Sequence, residues 1–236
     1  MAKRYDAIVV GLGAMGSATA YHLARRGRSV LAFDQFTPPH ARGSSHGETR
    51  IIREAYFEHP SYVPLLQRAY ALWHELEHNA GGTLFVATGG LMLGTPDSAI
   101  VSGALRSARE HALRHEYLTA REVRSRFPAL RPDDDMVAVL EPRAGVLFPE
   151  RCVAAHLELA RRGGAHLRCD ERVLRYEAGA DGVRVFTAQA HFDAATLIVT
   201  AGAWAARLLP DLNLPLQVER QVLYWFEPAA AAPFLP

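Results

Sequence analysis

The stretch Ala7-Ile8-Val9-Val10-Gly11-Leu12-Gly13-Ala14-Met15-Gly16, with Asp34 eighteen residues further on, decides the fold. The apolar run at 7–10 is short and β-branched, which predicts a buried strand. The three glycines stand at G-x-G-x-x-G spacing. A helix is expected over 14–26, with Tyr21, Leu23 and Ala24 available for packing and Gly27 closing it. A second short strand, 29–33, delivers Asp34 at its tip.

Each of these residues has a mechanical role in a dinucleotide site. Gly11 permits the tight turn, Gly13 lets a pyrophosphate approach the backbone, and Gly16 lets the helix pack close to the sheet. The free N–H groups and positive dipole end of the helix hold phosphate charge. Asp34 stands where a carboxylate accepts hydrogen bonds from an adenosine ribose. A lone G-x-G-x-x-G also fits a glycine-rich turn that binds nothing. Here a strand precedes it, a helix follows it and an acid closes the unit. The fingerprint alone does not separate NAD from FAD.

The next residues do. Pro38-Pro39-His40 leads into Arg42-Gly43-Ser44-Ser45-His46-Gly47-Glu48-Thr49-Arg50-Ile51-Ile52-Arg53. This run resembles the monomeric sarcosine oxidase and N-methyltryptophan oxidase family, FAD-dependent amine oxidases of the D-amino acid oxidase superfamily. Further matches occur at Tyr62-Val63-Pro64-Leu65, Leu72-Trp73, Gly145-Val146-Leu147-Phe148, Ile198-Val199 with Ala201-Gly202-Ala203-Trp204, and Arg220-Gln221-Val222. The resemblance implies an α/β fold: a Rossmann-type FAD-binding domain with an interleaved, smaller α+β substrate domain. The expected division is FAD-binding at 1–83 and 144–215, substrate domain at 84–143, and a returning substrate-domain segment at 216–236.

The resemblance also implies the chemistry. A secondary amine, typically sarcosine, N-methyltryptophan or a related N-methyl amino acid, is oxidised to an imine, and O2 is reduced to hydrogen peroxide. Arg53 is the expected ligand of the substrate carboxylate, because its planar fork matches that group in two hydrogen bonds. Arg50 is expected beside the flavin ring, where its charge favours the reduced form, and His46 as a hydrogen-bonding proton relay. FAD contacts are expected at Gly11, Gly13, Ala14, Met15, Gly16, Asp34, Gln35, Ser44, His46, Thr49, Arg50, Ile51, Val173, Ala201, Gly202 and Trp204. Val173 reads equally as an ordinary core valine. Separately, Arg50 and Arg53 could be salt-bridged surface residues, with His46 a satisfied loop histidine. The expected partners are the small amine and O2, with a monomer in the full-length form.

Composition limits the alternatives. The chain has 236 residues, 49% of them apolar, and a formal net charge of +1, so nothing points to a nucleic-acid partner. Cys152 and Cys169 fit no C-x-x-C pattern, and a reduced, cytoplasmic protein is expected. Lys3-Arg4, an apolar run and Ala18-Thr19-Ala20 imitate a signal peptide, but cleavage there would remove the fingerprint. The later uncharged run near 194–206 falls short of the roughly 18 residues of a membrane span.

The rest of the chain reads in order. A helix is expected from a Ser61 N-cap, with Leu65, Leu66, Ala69, Leu72, Trp73 and Leu76 on its buried face and Gly81-Gly82 stopping it. It carries His74-Glu75-Leu76-Glu77-His78, an H-E-x-x-H pattern that in other settings binds zinc. Here it sits in the last turns on the face opposite Leu65, Leu72 and Leu76, so a solvated surface and no metal are expected. Short strands are expected at 84–86 and 90–93, a helix from 96–98 to about 114, a capping box at Thr119 to Glu122, and a strand at 136–140. A helix opens at Pro149-Glu150 and Gly163-Gly164 closes it. Strands follow at 166–169, 172–176, 183–186 and 196–200, and a long alternating strand at 216–226.

Family members run to nearly four hundred residues, so this chain resembles their N-terminal part. The flavin-linking cysteine and catalytic lysines of the family have no counterpart in Cys152, Cys169 or Lys3. A non-catalytic dinucleotide-binding fragment is one alternative; a glycine or D-amino acid oxidase-like enzyme is another. An NAD-dependent dehydrogenase fits the fingerprint but not the 46–53 loop.

Overall fold

A computed structural model describes residues 4–232. The chain forms two compact units: residues up to Thr49 with Phe148–Val222, and Arg50–Leu147 with residues from Leu223 onward.

The first unit is built on a six-stranded sheet. Strand β1 (Arg4–Val10) lies at its centre, helix α1 (Ala14–Arg25) follows, and β2 (Val30–Phe33) returns parallel beside β1. Such a crossover buries both faces of the strand, which is why 7–10 and 30–33 are apolar throughout and buried. β9 (His166–Arg168) extends the parallel part beyond β2, and β12 (His191–Val199) pairs parallel with β1 on its other side. β10 (Val173–Gly179) and β11 (Gly182–Thr187) add an antiparallel hairpin, for the order β10-β11-β12-β1-β2-β9. Ile8, Val10, Leu31, Phe33, Val173 and Val185 pack in one core. Helix α5 (Pro149–Arg162) packs on α1, where Tyr21 meets His156 at 5.5 Å between ring centroids. This is the expected α/β, Rossmann-type arrangement, and β12 is longer than the five residues read as apolar.

The second unit holds two antiparallel three-stranded sheets. One has the order β3-β8-β4, from Arg50–Ile52, Gly145–Leu147 and Phe85–Val86; the other is β5-β7-β6, from Gly90–Gly94, Val137–Glu141 and Glu116–Thr119. The strands at 85–86 and 90–94 therefore go to different sheets. Helix α2 (Val63–Ala80) packs on the first sheet through Tyr70 and Phe85; α3 (Ala99–Glu110) packs on the second through Val101, Ala104 and Val139. The capping box forms as expected at the start of α4 (Ala120–Arg126), where Thr119 and Glu122 cap reciprocally.

Four expectations change. His59, not Ser61, caps the turn before α2. The buried residues of α2 are Val63, Tyr70 and Leu76; Leu66, Ala69, Leu72 and Trp73 are half-buried on the same side, while Leu65 is exposed. The run 50–52, read as loop, is strand β3. No strand forms at 216–226, where Leu216, Val218, Val222 and Phe226 are exposed. An alternating pattern needs a ladder partner, and none pairs with it among the described residues. The compact units divide at 49/50 and 147/148, with β3, α2 and β4 in the second unit beside β8.

Candidate functional site

The first unit gathers the fingerprint at the C-terminal edge of its parallel strands. Gly11 leaves β1 directly beside the exit from β12. A Cβ on Gly11 would lie 2.4 Å from the Thr200 carbonyl oxygen and 2.9 Å from the Ala201 Cα. Gly16 is tighter still, since its Cβ would fall 1.7 Å from the Gly11 carbonyl oxygen. The Thr200 hydroxyl, which the sequence did not flag, donates to the Gly11 carbonyl at 2.7 Å and ties the two exits together. Ala201 and Gly202 thus stand next to the fingerprint turn. Gly13 differs: a Cβ there would meet only Ser45, at 3.1 Å from its Oγ. That space opens over the first turn of α1, which carries no acidic residue. The Ala14 N–H donates to Ser45 Oγ at 2.9 Å, and Met15 is 74% exposed.

Asp34 is buried at the tip of β2. One carboxylate oxygen accepts from the Leu12 N–H at 2.7 Å and the other from the Phe36 N–H at 2.9 Å; His40 Nε2 lies 3.5 Å away. It therefore braces the fingerprint turn, and each oxygen keeps a second lone pair. Gln35 follows it, half-buried. Phe36 is the hub of the neighbouring wall: it meets His40 at 5.1 Å and Trp204 at 5.9 Å, and the Arg42 guanidinium lies 4.7 Å over its ring. Cys169 is half-buried nearby, and burial raises its thiol pKa. Val173 places its side chain in the core with Leu31 and Phe33.

The loop after Arg42 is held from α5. The Gly47 and Glu48 N–H groups both donate to Oε1 of Glu150, at 2.6 and 3.2 Å. Glu48 has φ 64° and Gly47 φ 111°. A left-handed non-glycine residue costs about 1–2 kcal/mol. A hydrogen bond to a charged group contributes about 1.5–3 kcal/mol, so the pair to Glu150 outweighs that cost. Burial raises the Glu150 pKa, but the N–H donors of Glu48, Glu150 and Gly47, with the His46 charge, more than reverse this and leave it below the ordinary value. His46 is half-buried in this loop, whereas Ser44 and Thr49 are exposed.

In the second unit, Arg50 and Ile51 lie on β3, paired with Leu147 and Val146. Ile51 is 74% exposed. Arg53 follows, half-buried, with its guanidinium 4.4 Å over Tyr56 and 5.3 Å over Phe57. Its Nη2 is 3.4 Å from Glu58, and its buried Nε has no hydrogen-bond partner. The two backbone N–H groups after it, Glu54 and Ala55, donate to the two carboxylate oxygens of buried Glu141 at 2.7 and 2.8 Å. Glu54 is itself buried, with Arg143 3.3 Å away. Burial raises its pKa and Arg143 opposes that. His74 and His78 of the H-E-x-x-H pattern are exposed; His74 lies 3.5 Å from Glu77, whose carboxylate accepts from Leu84 and Phe85. No cluster of three metal-ligating side chains occurs among the described residues.

Sequence reasoning missed Ser45, Thr200, Phe36 and Glu150. Gly43-Ser44-Ser45 does not say which serine faces the helix, and a first-turn glutamate reads as a dipole partner for its own helix.

Residues 6–236 match the FAD dependent oxidoreductase family (DAO). The monomeric sarcosine oxidase of Streptomyces avermitilis is 52% identical over 237 residues, covering 100% of this chain and 62% of that protein. The N-methyl-L-tryptophan oxidase of Escherichia coli is 38% identical, covering 95% of this chain and 60% of that one. Among solved structures, NikD, an amino acid oxidase of nikkomycin biosynthesis, superposes with a TM-score of 0.80 at 30% identity, covering 89% of this chain and 54% of its own. Glycine oxidase from Geobacillus kaustophilus gives 0.76 at 26% identity, covering 90% and 59%. The chain belongs to the FAD dependent oxidoreductase family, and it spans about three fifths of the length of these curated relatives.

The residues present fit FAD. A side chain at Gly13 would enter the space before a helix N-terminus that has no acidic residue in its first turn, and the buried Asp34 carboxylate is held on the same fingerprint turn. Met15 leaves an apolar side chain in the open beside that terminus.

Proposed function

We propose that the protein carrying this chain oxidises a secondary amine, an N-methyl amino acid of the sarcosine or N-methyltryptophan kind, to an imine, with O2 reduced to hydrogen peroxide. The observation that carries this reading is Arg53: a half-buried guanidinium seated on two aromatic rings, with only a loose 3.4 Å contact to Glu58. Such a group is ready to take a carboxylate in two hydrogen bonds. The names of the relatives at 52% and 38% identity support the same substrate class.

FAD, when bound, supplies the acceptor for the hydride equivalent. This chain's own groups bind and orient. The α1 N-terminus holds the pyrophosphate, Asp34 the ribose hydroxyls and Arg53 the substrate carboxylate. Arg50 places positive charge beside the flavin, and His46 holds or moves a proton. In this reading residues 84–143 and 216–236 belong to the substrate domain, and the full-length protein is a monomer. A cytoplasmic location belongs to the same reading; no helix among the described residues is long and apolar enough to cross a membrane.

A second reading, oxidation of a primary amine such as glycine, is favoured by the structural likeness to glycine oxidase. One experiment separates them. The FAD-loaded protein is given sarcosine, N-methyltryptophan or glycine without air, and flavin bleaching is followed; peroxide is then measured in air. Bleaching by the N-methyl compounds supports the first reading. Bleaching by glycine alone replaces it with the second, and no bleaching by any of the three removes both.

A further inference from the structure

We propose that Glu150 is a positioning residue that sets the flavin-facing loop, holding Gly47 and Glu48 so that His46 and Thr49 are presented to FAD. The inference rests on reading 44–51 as that loop. Both N–H groups converge on the same carboxylate oxygen, Oε1, from 103 and 102 residues away in sequence. The turn they belong to is one the chain does not favour on its own, with two consecutive residues at positive φ, one of them a glutamate. Thr49 N–H closes it by donating to the Gly47 carbonyl at 2.6 Å.

The sequence explains why a side chain does this work. Strands β3 and β8 pair with Arg50 opposite Leu147 and Ile51 opposite Val146. Counting on in that register brings Gly47 opposite Glu150. Backbone pairing cannot continue so far, because Pro149 lacks an N–H and α5 begins there. The Glu150 carboxylate takes over as acceptor. It is pre-placed for this by its position in the first turn of α5, where the helix dipole favours negative charge.

The test uses the full chain and two variants, Glu150→Ala and Glu150→Gln. Because both N–H groups meet one oxygen, the amide oxygen of glutamine can accept both and should rescue the loop. Hydrogen exchange is measured without FAD, and FAD affinity by fluorescence titration. In Glu150→Ala, exchange at Gly47 and Glu48 should rise at least tenfold while strand 4–10 is unchanged, and FAD should bind at least fivefold more weakly. Glu150→Gln should stay within about twofold of wild type in both. Unchanged exchange at 47–49 in folded Glu150→Ala overturns the proposal. If that variant does not fold, a Glu150→Gln protein with loop exchange as fast as that of unstructured peptide overturns it instead. Faster exchange in a chain whose wild type binds no FAD would keep the clamp and remove the flavin-facing role of the loop, and with it the positioning claim.

Discussion

The Ser45 hydroxyl accepts the Ala14 N–H at 2.9 Å, so the loop that follows β2 is fastened to the first turn of α1. Ser45→Ala removes one neutral hydrogen bond, worth about 1 kcal/mol. The expected outcome is a folded protein with FAD affinity reduced about fivefold, read by titration of flavin fluorescence. Equal affinity would detach Ser45 from the site.

Gly13 and Gly16 belong to one motif but do different work. At Gly16 the added Cβ would fall 1.7 Å from the Gly11 carbonyl oxygen and 2.6 Å from Thr200 Oγ1. Gly16→Ala must push backbone apart, and a loss of several kcal/mol is expected, about the scale of severe overpacking. At Gly13 the Cβ meets a movable serine hydroxyl. Gly13→Ala should therefore melt within a few degrees of wild type, yet bind FAD at least tenfold more weakly. Thermal melts and flavin titrations of the two variants check the contrast.

His156 gives a pH dependence. Burial, with the His22 charge second, pushes its imidazole pKa down from 6.5 to about 4. The folded state thus binds its proton less readily than the unfolded chain. Stability is fully present above pH 6.5 and is lost as pH falls towards about 4. The contribution is on the order of 3 kcal/mol. Urea unfolding at pH 7 and near pH 4 should show that drop, and His156→Leu should flatten it.

Arg53→Ala and Arg53→Lys should retain flavin, since Arg53 lies outside the fingerprint, while weakening substrate binding. Truncating one partner of a buried charge pair costs about 2–5 kcal/mol, so KM should rise by about 30-fold or more in the alanine variant. Lysine should recover only part of it, because it lacks the planar fork. Unchanged steady-state kinetics would remove Arg53 from the site.

Much of this was legible from residue order alone. The β1-α1-β2 unit is written locally: an unbroken apolar run, glycines at fixed spacing and an acid at the strand tip, each enforced by sterics within about thirty residues. The Thr119 capping box is equally local. What the sequence hid is tertiary. Glu150 reaches Gly47 across 103 residues and Thr200 reaches Gly11 across 189, and neither carries a spacing rule. Strand β3 reads as loop in the sequence because three residues show no period. The alternation at 216–226 misled in the opposite sense, since a pattern specifies which faces a strand would have and not whether a partner strand pairs with it.

The central claim is that these residues form an FAD site. The most direct measurement is the visible absorption spectrum of the purified chain after incubation with FAD and gel filtration. The account predicts a flavin spectrum that elutes with the protein in about equimolar amount. A colourless, folded protein peak, with all the flavin in the small-molecule fraction, would contradict it.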